Sequence, residues 1–158
     1  MGDQRALVVQ VQPRPDVALV DLVLGPLGPR DDREPVDQVA ALLLQQVPRL
    51  LPRQGPCRVA VLTARVGSIG DNRLGGWYGY RASKAALNMV TALLAQALAE
   101  RGATVLAFHP GWVMTDMGGD GAQLPAAEAV AAMLRVADAA TPADSGRFLN
   151  RRGEPMPW

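Results

Sequence analysis

The stretch GGWYGYRASKAALN, residues 75–88, opens a long predicted helix and decides the fold class. Its Ala- and Leu-rich continuation predicts that the helix runs over about 78–100. The β-rich run RVAVLT precedes it at 58–63, and the run ATVLAF follows it at 103–108. A helix between two apolar strands is typical of a parallel crossover unit. The segment therefore predicts an α/β fold with a mainly parallel sheet.

The same alternation extends in both directions along the chain. Residues 17–24 indicate a strand and 35–51 a helix, while a helix at about 125–139 precedes a short strand at 147–149. Residues 6–12 also indicate a strand, but the link to the next strand is too short for a parallel crossover, so we expect it to pair antiparallel at the sheet edge. We expect the other four strands to form one parallel sheet in a Rossmann-like three-layer αβα domain.

Composition narrows the class of protein. A chain of 158 residues, 49% of them hydrophobic, suits one domain with one sizeable core. The net charge is only +1 and the charges are mixed, which argues against a nucleic-acid partner. Cys57 is the only cysteine, so no internal disulfide forms and a reducing, cytoplasmic location is expected. We expect no membrane span, since no apolar run reaches the roughly 20 residues required, and no metal site, since His109 has no ligand company.

Tyr80 and Lys84 are the first candidates for chemistry. They are four residues apart near the start of the long helix, so their side chains leave the same face. A phenol titrates near pH ~10, and a nearby ammonium lowers that pKa towards the range useful for acid–base work. Lys84 is the only lysine among the basic residues, and a compact ammonium reaches a ribose hydroxyl more easily than a planar guanidinium does. An amphipathic helix with a packed tyrosine and a solvated lysine is the bland alternative.

The surroundings of this pair carry a family resemblance. Ligands of parallel sheets bind beyond the carboxyl ends of the strands, which here means the loops at 25–34, 64–77 and 109–124. The string from Gly67-Ser68 through YRASKAALN at 80–88 resembles the catalytic segment of the short-chain dehydrogenase/reductase family. The stretch HPGWVMTDM that follows resembles the Pro-Gly loop of that family.

Within that family, the likeness is to the C-factor proteins of myxobacteria. It covers residues from about 36 to 158, in stretches such as MLRVADAATPADSGRF and the terminal GEPMPW. One domain over 1–158 is therefore expected, with 1–34 as a divergent N-terminal segment and 35–158 as the family-like part. The likeness also implies envelope association as an alternative location.

The resemblance implies site residues and a cofactor. Tyr80 would be the catalytic acid–base, and Lys84 would be its activator and the anchor of the nicotinamide ribose of NAD or NADP. The nicotinamide amide would be held by four residues of the loop at 109–124, Pro110, Gly111, Val113 and Thr115. The substrate would be a small molecule with a carbonyl or hydroxyl group. A homodimer through the helices at 35–51 and 78–100 is implied as well, consistent with a stripe of small residues along the second helix, Ala82, Ala85, Met89, Ala92 and Gln96.

One catalytic group of the family is missing from its usual place. The position that normally carries a serine just after the strand is Ala64. Ser68 is the better placed of the nearby hydroxyls to donate a hydrogen bond to a substrate oxygen, and it completes the candidate catalytic set with Tyr80 and Lys84. A loop hydroxyl that bonds local backbone is an equally good interpretation of Ser68. An approximate match places Asp37 where the family has a relay asparagine.

The N-terminal part departs further from the family. A dinucleotide fold needs a glycine-rich turn between a strand and a helix whose N-terminus receives the pyrophosphate. The only early candidate is GPLGP at 25–29, whose prolines remove amide donors and which no helix follows directly. The sequence therefore predicts a Rossmann-like fold without its N-terminal nucleotide-binding half, and weak or absent NAD(P) binding.

Three functions stay open on this evidence. The first is an oxidoreductase that acts through Tyr80 and Lys84. The second is a non-catalytic intercellular developmental signalling or binding protein on a degenerate dehydrogenase fold. A weaker third is a cofactor-independent lipid or ester hydrolase with Ser68 as the nucleophile.

Overall fold

The computed structural model describes residues 17–20, 45–49, 51 and 57–158. The predicted edge strand at 6–12, the turn at 25–29 and position Asp37 lie outside these residues.

Four parallel strands form the sheet of the described residues. They are β1 (Val17–Val20), β2 (Cys57–Leu62), β3 (Ala103–His109) and β4 (Arg147–Asn150), and each pairs with the next in chain order. In the register, Val59 lies between Ala18 and Val105, and Phe108 lies beside Leu149. The prediction of one parallel sheet from these four strands is confirmed, although β1 is described only over the first half of its predicted span.

Two long helices connect the later strands. Helix α1 (Tyr78–Ala97) joins β2 to β3, and α2 (Ala126–Ala139) joins β3 to β4. Residues 45–49 are also helical, within the helix predicted at 35–51. In the described parts of the chain, no helix combines the length and the apolar character needed to cross a membrane.

The ends of α1 follow from local backbone chemistry. Three successive residues with positive φ, Gly75, Gly76 and Trp77, turn the chain into the helix. At the other end, a 3₁₀ turn over Ala99–Arg101 and Gly102 at φ 68° stop it. The helix is therefore a few residues shorter than its predicted span of about 78–100.

The two faces of the sheet carry separate apolar clusters. Alternate residues of a strand point to opposite faces, so Val59 and Ala60 of β2 belong to different clusters. The first cluster joins α1 and the segment at 45–49 to the sheet through Val47, Val59, Val61, Leu87, Val90, Leu94 and Val105. The second cluster joins α2 to the sheet through Ala60, Leu106, Phe108, Met133, Ala137 and Leu149. This arrangement confirms the predicted three layers.

The two connections have opposite hands. Both α1 and α2 carry the chain to the next strand in the same direction across the sheet, but α1 covers one face and α2 the other. Since parallel crossovers are right-handed in about 98% of cases, one of these two is an exception. Because α2 lies on the face opposite to α1, the long loop between β3 and α2 crosses from one face to the other at the carboxyl edge of the sheet, where the candidate site lies.

Two neighbouring leucines of α1 test the assignment of its buried face. Leu94 is 1% exposed in the first cluster, whereas Leu93 is 43% exposed. We expect Leu94→Ala to lower the free energy of unfolding by about 2–5 kcal/mol, because it removes buried methyl groups and leaves a cavity. Leu93→Ala, the same change one residue earlier, should cost about 0.5 kcal/mol or less. Urea denaturation of both variants measures the difference, and equal costs would show that the helix face is wrongly assigned.

Candidate active site

Tyr80 and Lys84 lie together on the first turns of α1. Both side chains are partly buried, and the Lys84 Nζ lies 5.8 Å from the centroid of the Tyr80 ring. A cation at that distance interacts favourably with an aromatic face and with negative charge on its phenolic oxygen. The predicted pair is thus brought together at the start of the helix.

Gly67 determines how closely α1 approaches the end of β2. A Cβ at Gly67 would lie 2.7 Å from the backbone carbonyl carbon and the Cβ of Lys84. Real Cβ atoms do not come so near, so only glycine fits between the 3₁₀ turn Arg65–Gly67 and the helix. The backbone of Lys84 is therefore seated directly on this glycine.

Two buried hydrogen bonds stabilise the contact between Gly67 and α1. The Thr63 hydroxyl donates to Asn88 Oδ1 at 2.6 Å, and Asn88 Nδ2 donates to the Gly67 carbonyl at 3.4 Å. Thr63 and Asn88 are each 4% exposed, so these bonds are shielded from water. The sequence interpretation missed this role of Asn88. The available signal was a polar residue on the apolar face of a predicted helix, one turn after Lys84.

Ser68 is engaged with the C-terminal segment. It is 2% exposed, its hydroxyl donates to the Trp158 carbonyl at 3.3 Å, and it accepts the N–H of Asp71 at 3.0 Å. The N–H of Gly70 donates to the same Trp158 oxygen at 2.8 Å. These are the local and backbone bonds of the second interpretation considered for Ser68, and Trp158 is a partner that the sequence did not indicate. The catalytic role of Ser68 stays a prediction.

Ala64 has a methyl group at the position where the resemblance leads us to expect the catalytic hydroxyl. Ala64 is half-buried and begins the turn that ends at Gly67. The nearby Arg65 forms a 2.5 Å ion pair with Asp71, and this hydrogen bond lowers the pKa of the Asp71 carboxyl. The Arg65–Asp71 pair therefore links the 3₁₀ turn to the loop that follows it.

In the loop after β3, at 109–124, the first half pairs with the end of the loop. The N–H of Met114 donates to the Leu124 carbonyl at 2.8 Å, and Val113 and Leu124 form a short parallel bridge. The Thr115 hydroxyl donates to the Val113 carbonyl at 3.4 Å and accepts the N–H of Gly118 at 3.2 Å. An open cleft of about 540 Å³ includes Thr115 and its neighbours on this loop.

The predicted cofactor residues Pro110 and Gly111 begin this loop. Both are half-buried, and Gly111 has a φ of 98°. A Cβ at Gly111 would lie 3.0 Å from the Arg151 guanidinium and 3.1 Å from Leu124. The loop begins beside the one after β2, because the N–H of Thr63 donates to the Phe108 carbonyl at 2.9 Å. The two candidate loops therefore leave the sheet at the same edge.

His109 ends β3 at this edge and has an unusual environment. Its Nδ1 is buried and has no hydrogen-bond partner among the residues that the structure describes. Burial, followed by the positive charges of Arg65 and Arg151, lowers the pKa of His109 from its ordinary value. This environment favours the neutral form of the imidazole over the charged form. Among the described residues no group of His, Cys, Asp and Glu side chains could hold a metal ion.

The lowered pKa of His109 predicts a pH dependence of stability. The unfolded chain takes up a proton near pH ~6.5, whereas folded His109 takes it up only at lower pH, so the unfolded state binds more protons in that window. We expect the free energy of unfolding to fall as the pH drops from about 7 to about 5. His109→Gln should flatten this dependence, because the chain has no other histidine. Urea denaturation across that range tests it, and an unchanged slope in the variant would contradict the assignment.

Comparison with known proteins identifies the family. Residues 41–123 match the family model described as short chain dehydrogenase. C-signal of Myxococcus xanthus is 50% identical over 107 residues, which are 67% of this chain and 64% of that protein. A 1-hydroxy-2-glutathionyl-2-methyl-3-butene dehydrogenase of Rhodococcus is 41% identical over 105 residues, 64% of this chain and 46% of that protein.

A solved structure gives the same answer for the fold. The crystal structure of an NADPH-bound carbonyl reductase from chicken fatty liver is 40% identical in sequence and has a TM-score of 0.60. The match covers 65% of this chain and 43% of the reductase chain. The chain thus spans 43% to 64% of the length of these three proteins. The predicted family and Rossmann-like fold are confirmed, and this chain belongs to the short-chain dehydrogenase family.

Proposed function

We propose that the chain acts as an oxidoreductase on a carbonyl or hydroxyl group of a small substrate, through Tyr80 and Lys84. The observation that carries the proposal is that the Lys84 Nζ lies 5.8 Å from the centroid of the Tyr80 ring. Both residues lie on α1, which packs against Gly67 at the carboxyl edge of the sheet. The carbonyl reductase and dehydrogenase among the relatives support the reaction class.

The pair has complementary roles in proton transfer. In the direction of reduction, the Tyr80 hydroxyl donates a proton to the substrate oxygen, and in oxidation the phenolate accepts it. The ammonium of Lys84 favours the phenolate electrostatically and so lowers the cost of giving up the proton. Since both residues project from one helix, their spacing does not depend on loop motion.

The residues of this edge fit the nicotinamide side of NAD or NADP. Lys84 is a compact donor suited to a ribose hydroxyl, and Pro110, Gly111, Val113 and Thr115 would hold the amide. The positive φ and closed surroundings of Gly111 give that loop a defined shape. When bound, the nicotinamide would supply or accept the hydride. The early glycine-rich candidate for the pyrophosphate, GPLGP at 25–29, loses amide donors to its prolines, so we expect weak binding.

The second hydroxyl of the site is the weakest part of this assembly. Ala64 offers only a methyl group, and Ser68 would reach a substrate oxygen only by releasing the Trp158 carbonyl to which it donates. Hydrolysis with Ser68 as the nucleophile needs an accessible hydroxyl, and Ser68 is 2% exposed. These contacts favour the oxidoreductase over the hydrolase.

Signalling or binding without catalysis is the second candidate function. The methyl group of Ala64 favours it, as does the 50% identity to a protein named C-signal. The two functions differ in one measurable respect, which is turnover that depends on Tyr80.

We also propose that the chain forms a homodimer through the predicted helix at 35–51 and the outer face of α1, which is the part of this surface that the structure describes in full. Met89 on this face is 62% exposed, and the exposed small side chain of Ala82 lies two turns before it. Sedimentation at micromolar concentration should show a species of twice 16.8 kDa, and Met89→Arg should convert it to the monomer. A single monomeric species of the unaltered chain would exclude the dimer.

Tyr80 and Tyr78 form a matched pair for testing turnover. Carbonyl reduction with NADPH should fall by at least about a hundredfold in Tyr80→Phe, because the proton donor is lost. Tyr78→Phe, two residues earlier and 83% exposed, should retain the rate. Ala64→Ser should raise the rate by about tenfold or more, since it adds a donor to the substrate oxygen. Absence of turnover in every variant, Ala64→Ser included, would favour the non-catalytic function.

A nucleotide titration tests the cofactor part separately. Charge-assisted bonds to a pyrophosphate are worth roughly 1.5–3 kcal/mol each, so lacking two of them weakens binding by about two to four orders of magnitude. We expect NADP to bind with a dissociation constant in the millimolar range or weaker, measured by calorimetry. A low-micromolar constant that is lost in Lys84→Ala would show that the chain supplies a phosphate site by another route.

A further inference from the structure

A second cleft, of about 520 Å³, opens between α2 and the turn that follows β4. Its lining includes apolar side chains such as Val136 and Leu149, and it carries four arginines, Arg135, Arg147, Arg151 and Arg152. Because α2 covers the face of the sheet opposite to α1, this cleft is not part of the cleft beside Thr115. Its volume is within the usual range for sites that bind small molecules.

The charge in this cleft is not balanced. Among the described residues, the lining holds one carboxylate, Asp144, against four guanidinium groups, whereas the whole chain has 16 basic and 15 acidic residues. Asp144 is already occupied, since it accepts the N–H and hydroxyl of Thr141 at 2.9 and 2.8 Å and pairs with Arg147 at 2.8 Å. The Thr141 backbone bond is the main reason why the pKa of Asp144 is lowered.

The other three arginines have no ion pair with any described carboxylate. Arg135 projects from α2, and Arg151 and Arg152 project from the turn after β4. Glu154, the nearest acidic residue in sequence to that turn, is bonded to Asn150 Nδ2 at 2.6 Å. Three guanidinium groups that lack an acidic partner within the described part of the chain repel each other around one concave surface, and an anion between them removes that repulsion.

The turn that presents two of these arginines is held in one conformation. Asn150 Oδ1 accepts the N–H groups of Arg152 at 2.9 Å and of Glu154 at 3.1 Å, and the Asn150 carbonyl accepts the N–H of Gly153 at 2.9 Å. Gly153, at φ 85°, packs on Val136, where a Cβ would lie 3.4 Å away. A backbone fixed in advance lowers the entropy cost of binding.

We propose that this cleft binds a small organic anion with two or more phosphate or carboxylate groups and an apolar part. The guanidinium forks of Arg135, Arg151 and Arg152 match the geometry of such groups and bond them bidentately. The apolar part of the ligand lies on Val136 and Leu149.

Calorimetry on the full chain tests this site with two probes, pyrophosphate and citrate, at constant ionic strength. At least one probe should bind with a dissociation constant below about 1 mM. Arg135→Gln and Arg152→Gln should each weaken that binding by about tenfold or more, since each removes charge-assisted bonds. Arg152→Lys should restore part of the loss, because it keeps the charge but not the fork. Binding of pyrophosphate alone would assign the phosphate class, and binding of citrate alone the carboxylate class.

Arg49→Gln is the control for simple loss of positive charge. Arg49 is exposed on the helical segment at 45–49, whose Val47 belongs to the cluster on the other face of the sheet. Binding should be unchanged in this variant, while circular dichroism confirms that all variants are folded. The proposal is overturned if neither probe binds with a dissociation constant below about 1 mM, or if Arg49→Gln weakens binding as much as the cleft variants do.

Discussion

The contact between the backbone of Gly67 and the backbone of Lys84 determines where the candidate chemistry lies. A side chain of any size at position 67 would collide with the helix, so the absence of a Cβ lets α1 begin directly against the end of β2. Thr63 and Asn88 surround this contact with two buried hydrogen bonds, which would be costly to leave unmade. The position of Lys84, and of Tyr80 one turn before it, therefore depends on sheet packing rather than on the exposed loop that precedes the helix.

The opposite hands of the two connections explain the arrangement of the remaining surfaces. The chain leaves β3 at the carboxyl edge, forms the folded loop with Val113 bridged to Leu124, and only then begins α2 on the other face. The loop thus stays at the edge shared with α1, while α2 forms a separate arginine-lined cleft with the turn after β4. Arg151 lies where the two regions meet, near Gly111 and within the cleft.

The sequence predicted the parts of the fold that depend on local patterns. Apolar runs marked β2, β3 and β4, since buried parallel strands are continuous hydrophobic segments, and the spacing of Tyr80 and Lys84 placed them on one helix face. The sequence patterns did not predict contacts between residues that are distant along the chain. The bond from Ser68 to Trp158 joins residues 90 positions apart, and no local pattern indicates it. The position of Asn88 on the apolar face of a predicted helix was a local signal, but its buried partner Thr63, 25 residues away, was not indicated by the sequence. The face of the sheet that α2 covers depends on tertiary packing.

Amide hydrogen exchange in Gly67→Ala tests most directly whether the Gly67–Lys84 contact positions the site. The added Cβ should push α1 away from the end of β2, so the amides of 78–88 should exchange much faster relative to those of β4. Gly102→Ala, at the far end of α1 with nothing within 4 Å of the added Cβ, should leave that ratio unchanged despite its own backbone strain. Unchanged protection of 78–88 relative to β4 in Gly67→Ala would contradict the account.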